Sequence, residues 1–446
     1  MDCSASPNVI RQGAPALPLL TDRDNEMSWN AYAVIGANWG DEGKGLAVDT
    51  FAKSLAEAGH AVIVVRSNGG AQAGHGVERP DGVRHVFHHI GAGTFADAAT
   101  HLSRFFVAHP MVFQDELLTL ARLNAAPERI TIDPRAPVTT PWDMAINQAI
   151  EIDRAGGRHG STGLGFGETI ERQENHFELT AGDLWGPELR KILVRIRDEW
   201  VPKRLAALGM DAGKSPLSDV LLGKLNLVDR FLEDCATFRS AVSLRDDCDL
   251  GRFGTVLFEG AQGLQLDMDY GVFPHVTRSH TGIRNMLSIA TEAGIKEISA
   301  TYMTRAYATR HGAGPLPREA KDENGNGKIN WAEVVDLTNA PNNWQGIIRQ
   351  APLDVDLLAS TIQKDTGLSK RSVVKLSASL GVTCLDQVKD EAEIYLQGRN
   401  IKCGPEELLD ILSRQTGLPV TLKSFGPTHE TALIARNWIS GHQTAA

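Results

Sequence analysis

The sequence predicts an α/β protein: a large, mostly parallel central sheet with helices on both faces, P-loop-NTPase-like, forming a single domain with helical insertions. Three observations carry this expectation. Short apolar, β-branched runs recur along the chain at 31–37, "HAVIVVR" (60–66), "RITID" (129–133), "TVLFEG" (255–260) and "EISATYMTRAY" (297–307). Longer stretches of helical spacing separate them, the pattern of parallel strands joined by crossover helices. Glycine-rich segments follow directly on several of the runs, where the ligand loops of an open parallel sheet belong.

The elements follow in order. Residues 1–27 are rich in proline and small residues and lack the basic-then-apolar build of a secretion signal. They read as a disordered extension, with Met27 a candidate start and 28–446 the catalytic domain. "AYAVI" then runs into "GANWGDEGKG" (36–45) and "KGLAVDTFAKSLAEAG", a helical pattern closed by glycine, so 31–66 is a β-α-β unit. "RSNGGAQAGHG" (66–76) leaves the second strand, "HGSTGLGFGETIERQ" (159–173) is a loop with spaced glycines, and "EGAQGLQLDMDYG" (259–271) leaves a later strand. Segment 186–245 is charged and helical, a covering subdomain.

Composition narrows the function. A chain of 446 residues with 42% hydrophobic and 22% charged residues can bury a large core. A net charge of -10 without a dense basic run excludes an electrostatic footprint for nucleic acid. Five scattered cysteines, with no C-x-x-C pair, suit a reducing cytosol and argue against a cysteine metal site. No apolar stretch approaches the ~20 residues that span a bilayer, so a soluble cytoplasmic protein is expected.

The opening loop departs from the common phosphate loop, G-x-x-x-x-G-K followed by Ser or Thr. Asn38 stands at its first glycine position, and Gly45 follows Lys44. A helix N-terminus and Lys44 favour anionic oxygens. Asp41 adds what a serine would not: a carboxylate able to hold Mg²⁺ or to take a proton. His75 lies in the next glycine-dense loop, within reach of a ligand lying across the sheet.

Five ordered motifs, "WGDEGKG" (39–45), "GGAQAGH" (69–75), "GSTGLGFG" (160–167), "FEGAQG" (258–263) and "SFGP" (424–427), resemble adenylosuccinate synthetase. The resemblance implies a homodimeric ligase of purine biosynthesis. It would use GTP and Mg²⁺ to phosphorylate the 6-oxygen of IMP, after which L-aspartate displaces that phosphate. It further implies Asp41 as base on purine N1, with His75 and Gln262 completing the catalytic set. Glu42, Gly43, Lys44 and Gly45, with Asp386 of "TCLD" and Ser424, Gly426 and Pro427, would bind GTP. Asn38, Gln72, Ser161, Thr162, Gln262 and Thr277 would bind IMP, and Asp41 with the Gly74 carbonyl would hold the metal.

Several residues depart from the family pattern. "NNWQGIIRQ" stands in place of an arginine loop and leaves Gln345, Gly346 and Arg349 as the clamp for aspartate or phosphate. Cys384 replaces a lysine beside Asp386. His176 replaces a phosphate-binding arginine that Arg172 is expected to compensate. Arg278 replaces a small residue, and His311 a hydrophobic one. These changes keep open a paralogue using another oxopurine nucleotide or amine. A non-catalytic nucleotide-binding regulator is a third reading, opposed by Asp41, Lys44, His75 and Gln262 together. "DENGNGKINWAE" (322–333) also fits a calcium-loop template through Asp322, Asn324, Asn326, Asn330 and Glu333, against the alternative of a surface turn.

Overall fold

The computed structural model describes residues 30–154, 161–321, 329, 348–388, 391–436 and 438. The N-terminal extension, the calcium-loop pattern apart from Ile329, and Gln345 and Gly346 lie outside them. Among the described residues, ten strands form one sheet in the order Ala432–Ile434, Val420–Ser424, Lys375–Thr383, Glu297–Arg305, Asn30–Gly36, Thr255–Glu259, Val62–Arg66, Ala99–Leu102, Ile130–Ile132, Ser243–Leu244. Every pairing is parallel except the first, so the expected architecture holds and an antiparallel edge strand is added to it.

The strand Asn30–Gly36 shows why the sheet needs helices on both faces. Its side chains alternate: Tyr32 and Val34 enter one apolar cluster, and Ala31, Ala33 and Ile35 enter another. All five are buried, so neither face is left to water. The helix Lys44–Glu57 covers the first face with Ala47, Val48, Phe51, Ala52 and Leu55. Trp438 stacks on Phe51 at a ring separation of 4.1 Å and lies 4.6 Å from Tyr32, which ties the C-terminal end to this helix.

Segment 186–245 is a helical cover, as expected. Its last helix, Leu227–Ala241, buries Phe231 and Phe238 in the first cluster, with the Phe238 ring 4.7 Å from that of Phe113. No helix of the described residues is long and apolar enough to cross a membrane.

Because the strands run parallel, the loops after Gly36, Arg66, Glu259, Arg305 and Thr383 all leave the same edge of the sheet. The strand Asn30–Gly36 is central, with Glu297–Arg305 on one side and Thr255–Glu259 on the other. The opening loop therefore emerges between two other ligand loops.

Candidate active site

The opening loop is set by close backbone approach. A Cβ on Gly36 would lie 2.3 Å from the Gln262 carbonyl oxygen and 2.3 Å from Glu42 Oε2, so only glycine lets the two loops meet. A Cβ on Gly45 would stand 2.5 Å from the Gly76 carbonyl, which brings the second loop against the helix start. Gly43 caps that helix in a left-handed conformation, with no side chain occupying the free N–H groups.

Three non-glycine residues at this edge share the left-handed region: Asp41 (φ 59°), Gln262 (φ 64°) and Cys384 (φ 61°). Each costs roughly 1–2 kcal/mol, a strain that persists because neighbouring contacts over-determine it. For Asp41 the contact is Arg305, whose Nε–H donates to the Asp41 carbonyl. Arg305 is held in turn by Tyr307 at 3.1 Å, and the Tyr307 hydroxyl donates to Gln387 at 2.5 Å. The loop that carries Asp386 is thus joined to the backbone of Asp41.

Glu42 is buried, accepting from the Asn38 amide at 2.6 Å and lying 3.4 Å from Lys44 Nζ. Burial pushes its carboxyl up, and Lys44 and the amide draw it back. Its carboxylate braces the loop and holds Lys44 in place. The Asn38 side chain donates to Thr304 at 2.9 Å. The Asp41 carboxylate is about a quarter exposed, and His311 Nε2 lies 3.5 Å from its Oδ2.

His75 opens a short hairpin, His75–Glu78 with Arg84–Phe87, and its Nδ1 faces Glu259 at the end of a central strand. Glu259 also accepts from the Ala92 amide at 3.0 Å. Burial pushes the imidazole down to about 4 despite the pull of Glu259. Burial would raise the Glu259 carboxyl, but Arg66 and His75 outweigh it and hold it low. The free protein therefore carries neutral His75 with Nδ1–H donated to an ionised Glu259, leaving Nε2 bare. Asn68 completes the frame by exchanging two hydrogen bonds with Ala261, at 2.8 and 3.1 Å.

Three segments at this edge carry the side chains of Gln72, His75, Gln262 and His311: the loop 66–76 holds Gln72 and His75, the loop after Glu259 holds Gln262, and the strand Ala308–His311 ends on His311. In each of the four residues a side-chain atom (Gln72 Nε2, His75 Nε2, Gln262 Oε1, His311 Nδ1) is buried without a protein partner among the described residues. Buried polar atoms are almost always satisfied, so the free atoms of Gln72, His75 and Gln262 at one sheet edge mark a surface suited to a polar ligand.

The predicted nucleotide-reading residues lie on two further turns. Asp386 is exposed on the single turn Leu385–Gln387. Ser424 donates to the Gly426 carbonyl at 2.7 Å, shaping the turn that exposes Pro427. Gly74 is exposed just before His75. Its carbonyl and the Asp41 carboxylate are oxygen donors of the hard kind that suits Mg²⁺.

The acceptor side is arranged differently. Ser161 donates to Asn147 at 2.9 Å and accepts from the Gly163 amide at 3.1 Å, so its hydroxyl folds the loop beside half-buried Thr162. Thr277 is half-buried, its amide bonded to the Leu266 carbonyl at 2.8 Å. Arg278 pairs with Glu171 and with Glu174, the latter at 2.5 Å. His176 is exposed. Arg349 is bound to Glu319 at 2.8 Å and to the Gly314 carbonyl at 2.7 Å.

Arg172 requires a correction. It does not stand in for the missing phosphate arginine: it is fully buried, bonded to Asp143 at 2.9–3.1 Å and to the carbonyls of Phe177 and Val138 at 2.6 and 2.7 Å. Its donors are saturated by the core. The sequence reading also missed Glu259, Arg305, Tyr307 and Asn68. Glu259 and Asn68 sit inside quoted motifs, and an acidic or amide residue at a strand's carboxyl end was the signal available.

An adenylosuccinate synthetase family model matches residues 33–333. An adenylosuccinate synthetase of Stenotrophomonas maltophilia is 33% identical over 426 residues, covering 92% of this chain and 90% of that one. One from Clostridium botulinum is 29% identical over 389 residues, covering 86% and 85%. Among solved structures, the fully ligated adenylosuccinate synthetase of Plasmodium falciparum superposes with a TM-score of 0.67 at 17% identity, covering 91% of this chain and all of that one. The cyanophage S-2L succinoaminodeoxyadenylate synthetase, bound to dGMP and to dATP as an energy donor, superposes with 0.55 at 16% identity, covering 93% and 99%. With the motifs, the sheet order and the loop frame in agreement, this chain belongs to the adenylosuccinate synthetase family and is a carbon–nitrogen ligase of that type.

Proposed function

We propose that this enzyme joins L-aspartate to the 6-position of IMP at the expense of GTP, giving adenylosuccinate, GDP and phosphate. The observation that carries the reading is the placement of Gln72, His75 and Gln262, each with a buried polar atom unpartnered among the described residues, at the edge where Asp41 stands and the Lys44 helix begins. An oxo group is a poor leaving group, and its conversion to a phosphate ester makes displacement by the amine feasible. Asp41 takes the N1 proton, which makes the 6-oxygen nucleophilic. Lys44 and the free N–H groups of the helix start hold phosphate oxygens. On entry of phosphate, Lys44 turns from Glu42 to the ligand.

His75 enters in its neutral form. Negative charge developing near Nε2 favours proton uptake there, and Glu259 on Nδ1 stabilises the imidazolium. Gln262 and Gln72 orient the purine through their free amide atoms. Mg²⁺, held by Asp41 and the Gly74 carbonyl, would supply charge neutralisation for the transferring phosphoryl group. The exposed Asp386 accepts two hydrogens from guanine, a pattern adenine does not offer. Arg349 grips a carboxylate once it exchanges Glu319 for the substrate. The family's way of working as a homodimer in the cytoplasm is adopted with this reading.

Incubation with IMP, GTP, Mg²⁺ and aspartate should produce the absorbance change of adenylosuccinate. No change with IMP, but turnover of another 6-oxopurine monophosphate, would establish the second reading. That reading draws support from Arg172 and Arg278, both committed to internal ion pairs where the phosphate of the acceptor was expected to sit.

A further inference from the structure

His311 ends the strand Ala308–His311, which pairs antiparallel with Ile348–Ala351. This hairpin is seated on the opening loop. Trp39 packs with Ala308, Leu316 and Ala351 in a small apolar cluster, and the Arg310 guanidinium lies 5.9 Å from the Trp39 ring. The strand is therefore fixed relative to the residue two places before Asp41. Its last side chain carries Nε2 to 3.5 Å from Asp41 Oδ2.

The Asp41 backbone is held by Arg305 in a left-handed conformation, and that contact engages the carbonyl and not the carboxylate. His311 is the side chain that faces the carboxylate, with Nε2 at 3.5 Å from Oδ2. A histidine retained for packing satisfies its ring nitrogens with structural hydrogen bonds. Here, among the described residues, Nδ1 is buried with no protein partner and Nε2 faces the Asp41 carboxylate, at a separation slightly long for a hydrogen bond. Catalytic hydrogen bonds are often long in the free enzyme and tighten in the complex.

We propose that His311 is a positioning residue for Asp41. Its Nε2–H holds Oδ2, so that Oδ1 is the oxygen presented to the nucleotide proton. The imidazole touches the reaction only through Asp41. The proposal rests on the reading of Asp41 as the base and assigns the control of its geometry to a residue outside the glycine-rich motifs.

The test compares His311→Val, which removes the donor, with His311→Gln, which restores an N–H at similar reach. Steady-state kinetics on the full chain should show kcat lowered about tenfold or more in the valine variant, a fraction of the ~10²–10⁴ that a general base supplies. KM for IMP and GTP should stay within about threefold, and the glutamine variant should recover most of the loss. A purely structural role would move the thermal midpoint and KM without rescue by glutamine, which overturns the proposal. So does a valine variant with wild-type kcat. Wild-type protein that forms no adenylosuccinate overturns the IMP assignment instead, and the same variants are then compared on the 6-oxopurine monophosphate it does use. Wild-type inactivity on all of them overturns both.

Discussion

The two sides of the site are built on opposite principles. Around the opening loop, buried polar head groups keep one atom unpartnered among the described residues: Gln72, His75 and Gln262 each present such an atom. Across the site, along 161–178 and 277–278, the charged groups are already paired: Arg172 with Asp143, and Arg278 with Glu171 and Glu174. A side chain kept unsatisfied at a cost of about 1–3 kcal/mol is one held ready for a ligand. A saturated one is part of the scaffold. On the proposed reading, the half that handles phosphate and proton is the more fully specified, and the half expected to hold the acceptor's phosphate has its arginines committed to internal pairs.

The largest expected effect is on the first side. Asp41→Ala should abolish turnover, a loss on the order of 10²–10⁴ in kcat with the fold intact by circular dichroism. Retention of a tenth of the activity would contradict the assignment of the base. Glu259→Gln should cost on the order of a hundredfold, since His75 loses the carboxylate that orients Nδ1–H and supports its charged form. Asp386→Asn should reduce the preference for GTP over ATP, measured as phosphate release with each nucleotide, while activity with saturating GTP persists.

A pH effect follows from His75. Its folded value, about 4, lies below the ordinary 6.5, so the unfolded chain binds the proton more readily. Stability from this group is present above pH 6.5 and is lost as pH falls towards 4, by up to about 3 kcal/mol. Asp49 and Asp365 act in the opposite sense. Burial pushes both up to about 6, so each regains stability as pH falls through that value. A His75→Asn variant should therefore lose less stability than wild type between pH 6.5 and 4 in chemical denaturation.

The smallest effect belongs to the paired side. Arg278→Ala should change kcat/KM by less than about threefold and the thermal midpoint by a few degrees at most, as expected for a partly exposed ion pair. A large loss of IMP affinity would mean that Arg278 leaves Glu171 and Glu174 to bind the substrate, and the contrast between the two sides would fail.

Much of the fold was legible because its strands are buried on both faces and so read as continuous apolar runs. "TVLFEG" and "EISATYMTRAY" became Thr255–Glu259 and Glu297–Arg305. The helix after the opening loop was equally plain, since Phe51 and Leu55 recur at helical spacing and a glycine closes it. The loop frame was not legible. Arg305 meets Asp41, and Asn68 meets Ala261, across 264 and 193 residues, and no local pattern encodes such a pairing. Arg172 was misread for a related reason. An arginine beside a glycine loop resembles a phosphate ligand until Asp143, 29 residues earlier, is found to hold it in the core.

The central claim is that the 6-oxygen of the acceptor is phosphorylated before the amine displaces it. It is tested most directly by supplying IMP labelled with ¹⁸O at that oxygen, with GTP, Mg²⁺ and aspartate, and analysing the released phosphate by mass spectrometry. The account predicts one ¹⁸O in each phosphate, carried over from the nucleotide. Unlabelled phosphate accompanying formation of adenylosuccinate would contradict it.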